Sequence, residues 1–279
     1  DYNAGGSGSS QSISGTVKNN LVAYSVQLKD AEDKERYLIS GTLKAENGNN
    51  EINLDPSKLL LNYESWKISH NNLIRFGKKG IYADDFELSK NGNSIRIQSQ
   101  SENPNAPVTI DFKDFDIKTI TSMVEKSDLQ MSGKINGNAF VKDLATTPIF
   151  TSDLSIENFT FKKDTIGNIS INVDNAIANQ YDAHIAITGQ GNQVNLDGNY
   201  KTSNSSFDMN LVIEKLNLKS IQGFTFNTIT ESTGFLTGNF SITGNTKQPK
   251  IIGQLQFNDI GFKATQLNSK FKSANDKIV

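Results

Sequence analysis

The chain has 279 residues, with 28 Lys and Arg against 30 Asp and Glu, a net charge of −2 and no cysteine. That balance excludes a surface built to neutralise a nucleic-acid backbone, which needs a basic excess. The missing thiols exclude disulfide frameworks, thiolate metal sites and cysteine nucleophiles.

Apolar residues make up 35% of the chain, yet 16 Phe and 7 Tyr are too many rings for a solvated tail. So few apolar side chains suffice only if each element buries one face. The remainder is rich in Asn, Ser, Thr and Gly, the residues of strands and turns rather than helices. No run reaches the ~18–20 apolar residues of a membrane helix. The start carries no signal-peptide pattern, so the chain reads as an excerpt of a longer protein.

In chain order, residues 1–12 ("DYNAGGSGSSQS") read as a flexible polar lead-in. Residues 13–85 read as a degenerate first repeat, marked by "LISGTLKAENGNN" at Leu38–Asn50. Within it, the lone Trp66 is expected as a packed sheet aromatic. "GKKG" at Gly77–Gly80 lacks the spacing and the Ser/Thr of a phosphate loop and reads as a hairpin turn. Asp84, Asp85 and Glu87 gather carboxylates, but adjacent strand positions face opposite ways, so a structural turn is expected.

From residue 86 the chain repeats itself. "FELSKNGNSIRIQS" (Phe86–Ser99) matches "IAITGQGNQVNLDG" (Ile185–Gly198) at an offset of 99. "PVTIDFKDFDIKTI" (Pro107–Ile120) matches "DMNLVIEKLNLKSI" (Asp208–Ile221) at 101. The same 101 separates Gly133 from Gly234, Gly137 from Gly238, Pro148 from Pro249 and Phe161 from Phe262. Residues 86–184 are one copy and 185–279 a second, truncated one. A period this long implies about seven or eight strands per unit, stacked because one unit cannot cover its own apolar face.

The strands alternate. Leu236, Phe240 and Ile242 share parity with Gly234 and Gly238; Leu255 and Phe257 share one parity, Ile260 and Phe262 the other. A bulge or tight turn is therefore expected at Asn258–Asp259 and at Glu157–Asn158. A similar break falls between Ile213 and Leu216. "NGN" at Asn91–Asn93 and "GQGN" at Gly189–Asn192 signal hairpins. Helical turns are expected only at Asp116–Lys126 and its copy "NLKSIQGF". The fold class is all-β: an elongated, curved, taco-like groove of amphipathic strands, one continuous groove rather than separate domains.

Chemistry is sparse. His70 and His184 lie 114 residues apart, and alternation places His184 on a polar face. No catalytic, cofactor or metal constellation is expected, and the chain does not read as an enzyme. A one-sided apolar sheet must still be covered, since exposed apolar area costs about 25 cal/mol per Å². A second sheet can seal it, or the sheet can form a trough with an apolar lining left for a guest. The residue pattern leaves both open.

The G-x-[IL]-x-G-N lines, the prolines at Pro148 and Pro249, and the closing [LI]-x-[IF]-x-x-[FI]-x-F strands resemble the translocation and assembly module (TamB) family. That family belongs to the AsmA-like superfamily of bridge-like lipid transfer proteins. The likeness runs from about Ile13 onward. It implies a periplasmic segment from a Gram-negative bacterium, tethered to the inner membrane by a helix outside this chain. It also implies an apolar groove for phospholipid acyl chains, and work with a TamA- or BamA-like outer-membrane barrel in protein assembly. On this reading the groove is lined by Ile135, Ala139, Val141, Leu154, Ile156 and Phe161, with Leu211, Ile213, Leu236, Phe240, Ile242, Leu255, Phe257 and Phe262 in the next copy. The glycines at 133, 137, 234 and 238 would let the sheet bend and leave room for the guest. The alternative is a β-rod acting as a spacer or chaperone-like module for outer-membrane proteins. A carbohydrate-active β-helix would need carboxylates clustered on one face, and the sequence has none.

Overall fold

The computed structural model describes residues 2–6, 9–77, 80–103, 106–122, 130–143, 149–175, 177, 179–273 and 275–278. It is all-β, built from large antiparallel sheets that do not close into a barrel, with only short helical turns. Two compact units divide it: Asp1–Met123 with Asn136–Ile149, and Val124–Ile135 with Phe150–Val279. Neither limit falls on a repeat boundary.

The first unit opens with strands β1 (Tyr2–Gly6), β2 (Ser9–Lys18), β3 (Leu21–Lys29), β4 (Glu35–Glu46) and β5 (Asn49–Leu61). Then come β6 (Glu64–Ser65), β7 (Leu73–Gly77) and β8 (Gly80–Asp84), and the sheet runs β1-β2-β3-β4-β5-β7-β8 with β6 on β5. Strands β9 (Phe86–Lys90), β10 (Asn93–Ser99) and β11 (Val108–Asp116) pair antiparallel beside it, followed by helical turn α1 (Lys118–Thr121). The expected lead-in is therefore not free of structure. Tyr2 pairs with Ile13 and Gly6 with Ser9, because strand pairing is satisfied by backbone groups whatever the Gly/Ser content.

Tyr37, Trp66, Ala83 and Phe115 centre this unit's core, and all four are buried. Trp66 meets Phe115 at 5.6 Å between ring centroids, as a packed aromatic should. The Tyr37 hydroxyl donates to the Thr119 carbonyl oxygen at 3.1 Å, tying β4 to α1. The Ala83 N–H donates to Ser99 Oγ at 2.9 Å, tying β8 to β10.

One side chain repairs a break in the first sheet. Pairing between β4 and β5 jumps from Gly41↔Leu54 to Ile39↔Leu59 around Pro56, a residue that cannot donate to a ladder. Asn72, 0% exposed, takes the vacated place. Its Oδ1 accepts from the Leu54 N–H at 2.7 Å, and its Nδ2 donates to the carbonyl oxygens of Leu54 and Ser69 at 2.9 and 2.6 Å.

The second unit holds Met131–Ile135 of β12 (Met131–Lys142), then β13 (Ile149–Phe161), β14 (Asp164–Asp174), β15 (Gln180–Gly189) and β16 (Asn192–Lys201). β17 (Ser206–Asn217) leads into α2 (Leu218–Ile221) and a 3₁₀ turn at Gln222–Thr225. The long strands β18 (Ile229–Asn245) and β19 (Gln248–Ala264) follow, with short β20 (Ser269–Lys272) and β21 (Lys277–Ile278) both pairing with β19. From β13 to β20 each strand pairs with its sequence neighbour.

The expected bulges are present. Asn158 and Asp259 have φ of 52° and 50°, and register shifts separate Ile156 from Phe159, Thr233 from Phe235, and Ile213 from Leu216. The turns at Asn91–Gly92 and Gln190–Gly191 have positive φ at both residues, the type I′ geometry whose twist suits a hairpin. Lys78, Lys79, Pro148 and most of Asp116–Lys126 beyond α1 lie outside the described residues. One expectation needs correcting: among the described residues six strands, β9 through β14, precede the start of the second copy at β15, not seven or eight. Their length is the reason, since strands of up to 13 residues use more chain per crossing.

Replacing Asn72 with Ala leaves the Leu54 N–H and carbonyl oxygen without the side chain that fills the gap beside Pro56, while the Ser69 carbonyl keeps its bond from the backbone N–H of position 72, and should lower the unfolding free energy by about 1–3 kcal/mol. Denaturant unfolding followed by Trp66 fluorescence checks this, and an unchanged midpoint would contradict it.

Candidate apolar sheet face

In the second unit the register aligns apolar residues into rows that cross seven strands. The first row runs Ile156, Ile169, Ile187, Val194, Ile213, Gly238, Leu255. The next runs Leu154, Ile171, Ile185, Leu196, Leu211, Phe240, Gly253. A third runs Ser152, Val173, Ala183, Gly198, Met209, Ile242, Ile251. Strands lie about 4.8 Å apart, so six steps carry each row about 29 Å across the sheet, and three rows cover about 14 Å along the strands.

The opposite face has another chemistry. Its central row reads Asp153, Asn172, His184, Asp197, Asn210, Ser241 and Ile252. His184 is half exposed there, and its Nδ1 meets Asp197 Oδ1. In the first unit, Asp84 Oδ1 accepts from Gln98 Nε2 at 3.0 Å, and the Asp85 N–H donates to Gln98 Oε1 at 3.2 Å. With φ of 47° at Asp85, these carboxylates form a structural turn.

Exposure grades across the apolar face. Ile156, Val194 and Ile213 in the first row are buried. Leu154, Leu211, Phe240 and Ile242 are half-buried, and Ile251 is 63% exposed. Leu236 pairs with Phe257 beyond the first row, and both are half-buried. Nine of the expected lining residues thus share this face: Leu154, Ile156, Leu211, Ile213, Leu236, Phe240, Ile242, Leu255 and Phe257.

The others are placed differently. Ala139 and Val141 belong to the first unit, Ala139 buried and Val141 half-buried, while Ile135 is half-buried on β12. Phe161 lies past the Asn158 bulge, buried under the helical segment. It stacks on Phe224 at 4.3 Å and 7°, with Phe226 edge-on at 6.4 Å. Phe262, past the matching bulge, stacks on Phe271 of β20 at 5.6 Å.

Space beside the glycines is taken by the chain itself. A Cβ on Gly253 would meet the Asn239 carbonyl oxygen at 2.1 Å and Phe240 Cδ1 at 2.6 Å; one on Gly238 would meet Phe240 Cε2 at 3.3 Å. The Phe240 ring thus lies across both glycines, filling the gap that they leave in the sheet surface. Gly133, Gly137 and Gly234 have φ of 142°, 107° and 80°, so their backbone conformation, as well as space, selects glycine.

The middle of the face was not among the expected lining. Ile169, Ile171, Ile185, Ile187, Val194 and Leu196 complete the rows. The alternation in "GNISINVD" and "QVNLDG" carried that signal.

Compared with protein-family models, with curated proteins and with solved structures, the chain matches none. Among the described residues, no helix is long and apolar enough to cross a membrane.

Gly253→Ala forces a methyl group into the Asn239 carbonyl and the Phe240 ring, and should cost about 1–3 kcal/mol. Thermal melting checks it; a variant as stable as the parent would show that the ring does not rest there.

Proposed function

We propose that this chain is a non-enzymatic segment of a periplasmic, TamB-like protein whose apolar sheet face receives phospholipid acyl chains. The observation that carries this reading is the set of three apolar rows on one face, with the outer rows half-exposed. Moving a lipid tail from a membrane into water costs about 0.8 kcal/mol per CH₂, so a sixteen-carbon tail costs on the order of 10 kcal/mol without an equivalent lining. A row of Ile, Leu and Phe side chains at strand spacing offers that lining at each step. The polar row opposite stays hydrated. A lipid sliding along such a face exchanges one apolar contact for the next, so no step on the face leaves its tail in water.

In this account the full-length protein spans from an inner-membrane tether toward an outer-membrane barrel, and this segment supports outer-membrane assembly by passing lipid. The resemblance of the glycine-punctuated repeats supports that setting. A spacer or chaperone-like rod would need no continuous half-exposed rows.

Two measurements test the reading. Solvent extraction and mass spectrometry of the segment purified from a Gram-negative periplasm should yield phospholipid. Phe240→Glu or Leu236→Asp should abolish that lipid while lowering the melting temperature only modestly, because both positions are half-exposed. If either substitution unfolds the segment, the face is a sealed core. If the parent protein carries no lipid, it is a spacer.

A further inference from the structure

The two most exposed rings among the described residues of the second unit sit together at one end of its sheet. Phe224 is 48% exposed and Phe226 57%. Both belong to the 3₁₀ turn after α2 and rest on the buried Phe161: Phe224 stacks on it at 4.3 Å, and Phe226 stands edge-on at 6.4 Å. The turn is fixed in place. A Cβ on Gly223 would meet the Phe161 carbonyl oxygen at 3.0 Å, so the turn packs directly on the β13–β14 hairpin. Thr225 Oγ1 donates to the Gln222 carbonyl oxygen at 2.7 Å, and the Phe226 N–H to the Gly223 carbonyl oxygen at 3.2 Å. Local hydrogen bonds thus hold the rings outward.

Phe226 is held there under strain. Its φ of 50° and ψ of 46° are left-handed, a region where a bulky side chain is rare and glycine or asparagine sits more easily. Folding alone gives no reason for a phenylalanine that is both strained and more than half in water. Cations lie beside it. Lys162 Nζ is 4.4 Å from the Phe226 ring centroid, and Lys162 and Lys163 line the cleft between the hairpin turn and the 3₁₀ turn. Lys219 of α2 lines the adjoining cleft with Lys163. Asp164 is the carboxylate in both linings. Glu231, at the start of β18, is met by Lys270 at 2.6 Å and Lys263 at 3.9 Å. Three lysines therefore face Asp164 alone at this end.

We infer that this tip docks on an anionic membrane surface, with Phe224 and Phe226 entering the interface and Lys162, Lys163 and Lys219 at headgroup level. Rings partition into the boundary between headgroups and acyl chains, while ammonium groups reach the phosphates on flexible stems. The lysines need not converge on one point, because a charged surface attracts each of them separately. The exposed ring area, on the order of 100 Å² each, is far below the ~800 Å² per side of a stable protein interface. A bilayer takes up rings one at a time. The first copy lacks the pair: at the 101-residue offset, Met123 and Glu125 stand where Phe224 and Phe226 do. The anchor is therefore a feature of the second copy. It does not rest on the acyl-chain reading of the sheet face, and it adds where this unit meets a bilayer.

The test uses the whole chain. Co-sedimentation with vesicles of phosphatidylcholine containing phosphatidylglycerol should show saturable binding that weakens as salt rises. Binding to phosphatidylcholine alone should be at least about tenfold weaker. F226N, which suits the left-handed backbone, should keep the melting temperature and weaken binding about tenfold. K162Q/K163Q should weaken it at least about tenfold. I252S and K247Q/K250Q, exposed changes on β19 and its turn, should bind as the parent does. F226W adds a second tryptophan to the buried Trp66, and its emission should shift to the blue on binding. Absent vesicle binding would leave the rings to a protein partner and overturn the anchor. So would equal binding to neutral vesicles, binding that survives either F226N or K162Q/K163Q, or an unshifted F226W emission. Phe240→Glu, aimed at the sheet face, should still bind vesicles; loss of binding there would assign the contact to that face. Co-purifying lipid, expected unchanged in F226N, separates failure of the anchor from failure of the face.

Discussion

Strand register is the constraint on which the second unit depends. A β-strand turns successive side chains to opposite faces, so a one-residue slip at any of the six pairings from β13 to β19 would carry an apolar set into water. The pairing avoids this over seven strands by fixing register at both ends of the hairpins. Gln190 and Gly191 close β15–β16 with a two-residue turn that permits one register. At the other extreme, the shifts after Ile156 and Ile213 absorb an extra residue without disturbing the rows before them.

Those bulges also decide where the face stops. Before Asn158, Ile156 and Leu154 belong to the rows; after it, Phe161 turns under the helical segment and stacks on Phe224. The same step at Asp259 separates Leu255 and Phe257 from Phe262, which stacks on Phe271. One device, used twice at a spacing of 101, thus ends the apolar rows.

Much of this was legible in the residues. Alternation marked the strands, the parity change from Phe257 to Ile260 marked the bulge, and the Asn-Gly and Gln-Gly pairs marked the turns. Those are local signals, and local chemistry settles them. What escaped depended on contacts distant in sequence. Nothing near Asn72 announces that it replaces a missing strand partner beside Pro56, eighteen residues from Leu54. The Phe240 ring over Gly253 requires knowing that β18 and β19 pair in that register. The burial of Phe161 requires knowing where Phe224 folds back.

The central claim is that the middle apolar row is open to a guest while the polar face is not apolar-seeking. Because the chain has no cysteine, single cysteines can report on each face separately. Leu211→Cys samples the row, Asn210→Cys the opposite face, and Ile166→Cys a fully buried position. The rate of modification by a small thiol reagent should be intermediate at 211, fast at 210 and negligible at 166. Loading the protein with phospholipid should slow 211 alone. A cysteine at 211 as unreactive as one at 166, with or without lipid, would contradict the account.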